Sequence, residues 1–175
     1  PGAGIWYDLG PHLLDQALLL FGSPKKLTAR CLKLRPQAQV TDYFHVQLHY
    51  PGLEVVLHAS PFAAGRKQRF LLQGNQGDYI KYGMDPQEER LKQGLLPNHP
   101  NWAREDEEND GCLSDHNSSK RYPGISSGYQ VYYSKLAAAI KGQGENPVTA
   151  QEALKVIYLL EQAIQSSESG QTCTV

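Results

Sequence analysis

No run of apolar residues among these 175 positions approaches the ~18 that a membrane-spanning helix needs. Nor does a basic segment followed by an apolar stretch open the chain, as it would in a secretory signal. An excess of one charge is missing too: 17 Lys and Arg against 18 Asp and Glu leave a formal net charge of −1. That balance gives no electrostatic pull toward nucleic acid or an anionic membrane. Cysteine is scarce, with only Cys31, Cys112 and Cys173, odd in number and widely spread. Such usage speaks against a disulfide framework and for a reducing, cytoplasmic setting. Three chemical signatures are absent as well. Gly2-Ala3-Gly4 and Gly142-Gln143-Gly144 lack the third glycine, and the strand before it, of a dinucleotide-binding turn. No His-Glu-x-x-His zinc helix occurs, and Gly124-Ile125-Ser126-Ser127-Gly128 makes no Gly-x-Ser-x-Gly elbow, because the polar stretch it closes supplies no strand before it. What remains is a globular profile, 40% hydrophobic and 20% charged, long enough for one domain with a real core. Because a motif begins within ten residues of Pro1, the chain is expected to be the C-terminal part of a longer polypeptide.

The stretch from Gly4 to Gly22 organises the reading. Leu13, Leu14, Ala17, Leu18 and Phe21 recur at helical spacing, and Gly22 stands where a C-terminal cap belongs. Pro11 fits a helix best in its first turn, which places the helix start near Asp8, with Asp8 as N-cap. Strand-like runs follow at 26–34, 40–50, 53–60, 66–73 and 78–82. In the second, Phe44, Val46, Leu48 and Tyr50 share one face while Tyr43, His45, Gln47 and His49 share the other. Pro51-Gly52 turns it into its neighbour. A short helix is expected over 85–93, capped by Asp85, and then a polar surface excursion over 95–128. Helices over 129–141 and 149–167 close the chain. The last opens with the capping box Thr149-Ala150-Gln151-Glu152 and buries Ala153, Val156, Ile157, Leu160 and Ile164. Residues 171–175 are left to add an edge strand or to fray. Helices at both ends and strands between them predict an α+β domain, a largely antiparallel, open-faced sheet with helices packed on one face.

Asp8 and His12, four residues apart, stack on one face of the first helix. An ordinary cap and a surface histidine account for that spacing; so does a carboxylate–imidazole pair acting on a third group. Metal binding is not expected. His45 and His49 on one strand face stand ~13 Å apart, and Cys112, Asp115 and His116, with His99 and Asp110 nearby, make no ordered set of four ligands. His45, His49 and His58 instead decorate the polar sheet face with Tyr43, Gln47 and Val56, a composition that suits an oligomer contact.

The opening motif, Asp8-Leu9-Gly10-Pro11-His12-Leu13-Leu14-Asp15, resembles the D-x-G-x-H-x-x-D pattern that begins the C-terminal domain of the Gfo/Idh/MocA oxidoreductases. The resemblance runs through Pro147-Val148-Thr149-Ala150-Gln151-Glu152-Ala153-Leu154 and covers essentially the whole chain. Ile80-Lys81-Tyr82-Gly83-Met84-Asp85-Pro86-Gln87-Glu88 is similar to the NADP-dependent scyllo-inositol dehydrogenase-like members. The resemblance implies a two-domain enzyme. Its N-terminal Rossmann domain, absent from residues 1–175, binds NADP or NAD and contributes a lysine to the site. This C-terminal domain then binds a polyol or sugar and forms a homo-oligomer through the open sheet face. It implies His12 as general base and acid, Asp8 as its orienter, and Trp6, Tyr7 and Asp15 as substrate-binding residues. On that reading the isolated chain is inactive. The competing reading is a non-catalytic sugar-binding or dimerisation module.

Overall fold

A computed structural model describes residues 2–66, 68–125 and 128–175. Pro1, Lys67 of the expected strand 66–73, and Ser126 and Ser127 of the polar segment lie outside the described residues. The chain forms two compact units, Pro1–Ala63 with Val148–Val175, and Ala64–Pro147.

The first unit holds α1 (Ile5–Phe21), β1 (Lys26–Leu32), β2 (Tyr43–Tyr50), β3 (Leu53–Ala59), α4 (Ala150–Ser169) and β8 (Cys173–Thr174). Its strands make one antiparallel sheet in the order β3-β2-β1-β8. The expected alternation in β2 is present: Phe44, Val46 and Leu48 are buried, and Tyr43, His45, Gln47 and His49 face the other way. α1 and α4 cover the apolar face, and their buried residues join those of β1, β2 and β3 in one core. The tail does add an edge strand, but β8 pairs with only Lys26 and Leu27. Farther along β1, the backbone N–H groups of Ala29 and Cys31 donate to Ser166 and Ser167 of α4. Two serines thus close an edge that would otherwise present unpaired backbone donors.

The helix ends are set by local chemistry in α4 and by tertiary contact in α1. Thr149 and Glu152 form the reciprocal capping box, and Gly170 adopts the left-handed conformation (φ 68°) that ends α4. The buried stripe is rotated from expectation. Val156 and Leu160 are buried with Leu159 and Ala163, whereas Ile157 is 50% exposed. α1 starts at Ile5 rather than near Asp8, so Asp8 is not the N-cap and Pro11 is inside the helix. The cause lies outside the segment. Ile5 N–H donates to Thr41 O at 2.9 Å, and Gly4 (φ 96°) passes so close that a Cβ there would lie 2.5 Å from Thr41 O. Proline costs a helix interior about 3 kcal/mol. Burial of Trp6, Gly10, Leu14 and Ala17 on one stripe offsets that cost.

Asp42 ties down the loop between β1 and β2. Buried to 1% exposure, it accepts the N–H groups of Leu34 (2.7 Å) and Arg35 (3.1 Å) and the Arg35 guanidinium (3.0 Å). The Leu34 amide above all, and Arg35 beside it, hold its carboxyl below the usual range. A carboxyl lowered by folding stabilises the protein above its unfolded pKa of ~3.9, and that contribution is lost as pH falls through the folded value. Asp42→Asn is therefore expected to lower stability at neutral pH and to flatten the acid limb of the unfolding free energy, as urea titrations between pH 2 and pH 7 would show. An unchanged acid limb would mean that this loop contributes nothing.

The second unit holds β4 (Gln68–Gly74), β5 (Gly77–Tyr82), α2 (Gln87–Lys92), β6 (Gly111–Ser114), β7 (Ser119–Tyr122) and α3 (Tyr129–Ile140). Its strands form a second antiparallel sheet in sequence order. The fold class is α+β as expected, with two four-stranded sheets where one was expected. The 95–128 segment is not wholly a surface excursion. It contains the β6–β7 hairpin and the buried Trp102, and Lys81 of β5 pairs with Glu105 and donates to Asn109 O at 2.9 Å. Asp85 accepts from Gln87 N (2.8 Å), although the helix starts at Gln87, so it caps from one residue farther out than expected. Asp115, considered above as a ligand, accepts from the N–H groups of Asn117 and Ser118 in the β6–β7 turn.

Candidate functional site

α1 presents two faces. Trp6, Gly10, Leu14 and Ala17 turn into the core, and Asp8, His12 and Asp15 lie exposed on the other side. Asp8 and His12 are one helical turn apart, so the expected stacking holds although the helix start does not. His12 and Asp15 share a cavity of about 370 Å³ with Pro11 and Gln16 of α1, with Val148 just before α4, and with Ala153, Val156 and Ile157 of α4. Gln16 Nε2 donates to His12 O at 2.8 Å, bracing that turn from the C-terminal side. The α4 wall of this cavity was missed in the sequence. Ile157 fits the helix's apolar stripe, and only the rotation of α4 shows that it faces the cavity instead.

Of the two expected pocket aromatics, Trp6 departs from the expectation. Trp6 is a core residue. It is 0% exposed, its indole N–H donates to Leu160 O at 3.1 Å, and its ring meets Phe44 edge-on with centroids 4.9 Å apart. Packed this way it has no surface to offer a substrate. Tyr7 is half-buried against the core margin.

Gly10 explains the glycine of the motif. A Cβ at this position would lie 2.7 Å from Trp6 Cε3 and 2.9 Å from a Leu160 methyl carbon. Only glycine lets α1 approach α4 closely enough for Trp6 to reach the Leu160 carbonyl. Gly10→Ala is expected to destabilise the protein by about 1–3 kcal/mol through overpacking, despite alanine's better helix propensity. Denaturant unfolding measures it, and a neutral or stabilising result would show that the two helices can separate at no cost.

The model of the GFO_IDH_MocA_C family, described as the C-terminal alpha/beta domain of an oxidoreductase family, matches residues 1–175. The chain belongs to that family. Among its curated relatives, the uncharacterized oxidoreductase YdgJ of Escherichia coli strain K12 is 44% identical over 98% of this chain and 50% of its own length. The scyllo-inositol 2-dehydrogenase (NADP(+)) IolW of Bacillus subtilis strain 168 is 36% identical over 97% of this chain and 48% of its own length. A solved Yersinia pestis structure, described as that of an oxidoreductase, superposes with a TM-score of 0.90 at 45% identity, covering 99% of this chain and 50% of that one. The chain thus spans about half the length of the curated relatives it matches. In this GFO_IDH_MocA_C domain, Asp8, His12 and Asp15 form the exposed edge of the D-x-G-x-H-x-x-D motif and Gly10 its packing edge.

Proposed function

We propose that the full-length protein is an NAD(P)-dependent dehydrogenase interconverting a secondary alcohol and a ketone on a cyclic polyol or sugar, with this chain as its substrate-binding and dimerisation domain. One observation carries the reading. His12 lies with Asp8 a turn before it and Asp15 beside it on the open side of α1, in a chain 36% identical to a scyllo-inositol 2-dehydrogenase. Oxidising an alcohol requires a base for the hydroxyl proton, and the reverse reaction requires an acid. Histidine serves both directions near neutral pH. His12 takes the hydroxyl proton, Asp8 orients the imidazole or accepts from a neighbouring hydroxyl, and Asp15 and Tyr7 are substrate contacts. The cavity of about 370 Å³ beside His12 lies within the range of small-molecule sites.

Among the described residues, the paired strands of both sheets are antiparallel, without the parallel strand–helix–strand crevice in which dinucleotides lie. On this reading the nicotinamide dinucleotide is held mainly by polypeptide beyond this chain, which spans about half the length of its curated relatives. It supplies the hydride acceptor, and this chain handles the proton. A second copy is assigned to the outer face of the first sheet, opposite α1 and α4, where Tyr43, His45, Gln47 and Val56 are exposed or half-buried. Among the described residues no helix is long and apolar enough to cross a membrane, and the three cysteines are free thiols, as suits a cytoplasmic enzyme.

The test is NAD(P)H absorbance on the full-length protein across a panel of inositols and aldoses, with NAD and NADP in turn. Turnover of at least one member is expected. Dinucleotide binding with no turnover anywhere on the panel would overturn the catalytic reading and leave a binding module.

A further inference from the structure

We propose that the outer face of the first sheet is a pH-gated contact between two copies of this chain, closed when its imidazoles are neutral and opened when they are protonated. This rests on the dimer reading above and adds its regulation.

The strand register lays the face out in rows. Arg30, His45 and His58 stand side by side across β1, β2 and β3; the next row is Thr28, Gln47 and Val56; the next is Lys26, His49 and Glu54. A two-fold axis running along β2 between two such faces lays β1 of one copy over β3 of the other. Lys26 then meets the second copy's Glu54, and symmetry makes that pair twice. Val56, 51% exposed at the centre of β3, meets the second copy's Thr28. The charges of this face are complementary to themselves under that axis, which is why a second copy is the occupant.

The Arg30 row behaves differently. The same axis sets Arg30 over the second copy's His58, and His45 over its own equivalent. Within one copy the His45 and His58 rings are already 5.8 Å apart, with Tyr43 5.3 Å from His58 on the other side. His58 Nδ1 lies 2.9 Å from Phe44 O, and because a carbonyl only accepts, that nitrogen carries the hydrogen. No carboxylate stands in this row. Glu54 is engaged by His49 (2.7 Å) and Gln47 (3.1 Å), and Asp42 by Leu34 and Arg35. Imidazole is the side chain that gains charge between pH 8 and pH 5. Charging His45 and His58 therefore sets cation beside cation within each copy and cation against Arg30 between copies. In a separated copy water screens these charges; in a closed contact they are desolvated and unpaired. His49 is the exception, because Glu54 balances its charge inside one copy.

The test is the oligomeric state of the full-length protein, by sedimentation velocity at pH 7.5 and pH 5.5, with far-UV circular dichroism confirming that each variant is folded. Wild type is expected to be dimeric at pH 7.5, with a dissociation constant at least about ten-fold higher at pH 5.5. The double variant His45→Gln/His58→Gln is expected to be dimeric at both, and Val56→Arg monomeric at pH 7.5. Equal association of wild type at both pH values, with Val56→Arg monomeric, overturns the gate and keeps the sheet-face dimer. A histidine variant that still dissociates at pH 5.5 overturns the gate in the same way. A dimer indifferent to Val56→Arg, or a monomer throughout, overturns the sheet-face reading and the gate with it.

Discussion

Replacing Trp6 with alanine is expected to destabilise the protein by about 3–5 kcal/mol, the cost of deleting a fully buried aromatic side chain. Its indole is 0% exposed, packs on Phe44 and Gly10, and donates to Leu160 O at 3.1 Å. The substitution removes that packing together with the indole's hydrogen bond, while the Leu160 carbonyl, inside α4, keeps its helical donor. Single domains are stable by only about 5–15 kcal/mol, so a large share of the total depends on one side chain. Trp6→Phe keeps most of the apolar contact and isolates the hydrogen bond, and a loss of about 1–2 kcal/mol is expected for it. Urea unfolding of the wild type and both variants gives the comparison. A Trp6→Ala protein with an unchanged unfolding midpoint and a raised KM would return Trp6 to the substrate pocket and contradict its place in the core.

His12→Ala in the full-length protein is expected to lower kcat by about 10²-fold or more, with little change in stability. The first effect follows from general base and acid catalysis, whose removal costs on the order of 10²–10⁴. The second follows from position, because His12 is exposed on α1 and the Gln16 side chain engages its backbone carbonyl, which alanine keeps. Asp8→Asn is also expected to lower kcat, since an amide loses the charge that supports an imidazolium and can turn its NH2 toward the ring and favour the wrong tautomer. Steady-state rates with a turned-over substrate, read beside thermal unfolding of the same variants, separate these roles. If His12→Ala turned over at nearly the wild-type rate, His12 would not be the proton-transfer group and the proton would have to be handled by another residue.

Much of the local structure is legible because local rules set it. The β2 alternation, the Thr149–Glu152 capping box and the Gly170 cap all depend on neighbours within a few residues. So does the one-turn spacing of Asp8 and His12, since any helix through this segment stacks them, whichever residue starts it. The β6–β7 hairpin was not legible. Gly111–Ser114 and Ser119–Tyr122 are short and polar, with no alternation to signal strands, and their pairing depends on β5 alongside.

Other features were decided by contacts between distant parts of the chain. Thr41 moves the start of α1 back to Ile5 and leaves Pro11 inside the helix, which no rule about the segment itself predicts. The Leu160 carbonyl draws Trp6 inward, turning an expected pocket aromatic into a core residue. The rotation of α4 then takes Ile157 out of the predicted core stripe and sets it beside His12. The sequence by itself determined the helix periods, the strand faces, the caps of α4 and the one-turn spacing of Asp8 and His12, because each is a matter of spacing along one element. Only the tertiary structure decided which side of each helix is buried and what faces the pair, because burial depends on which distant surfaces meet.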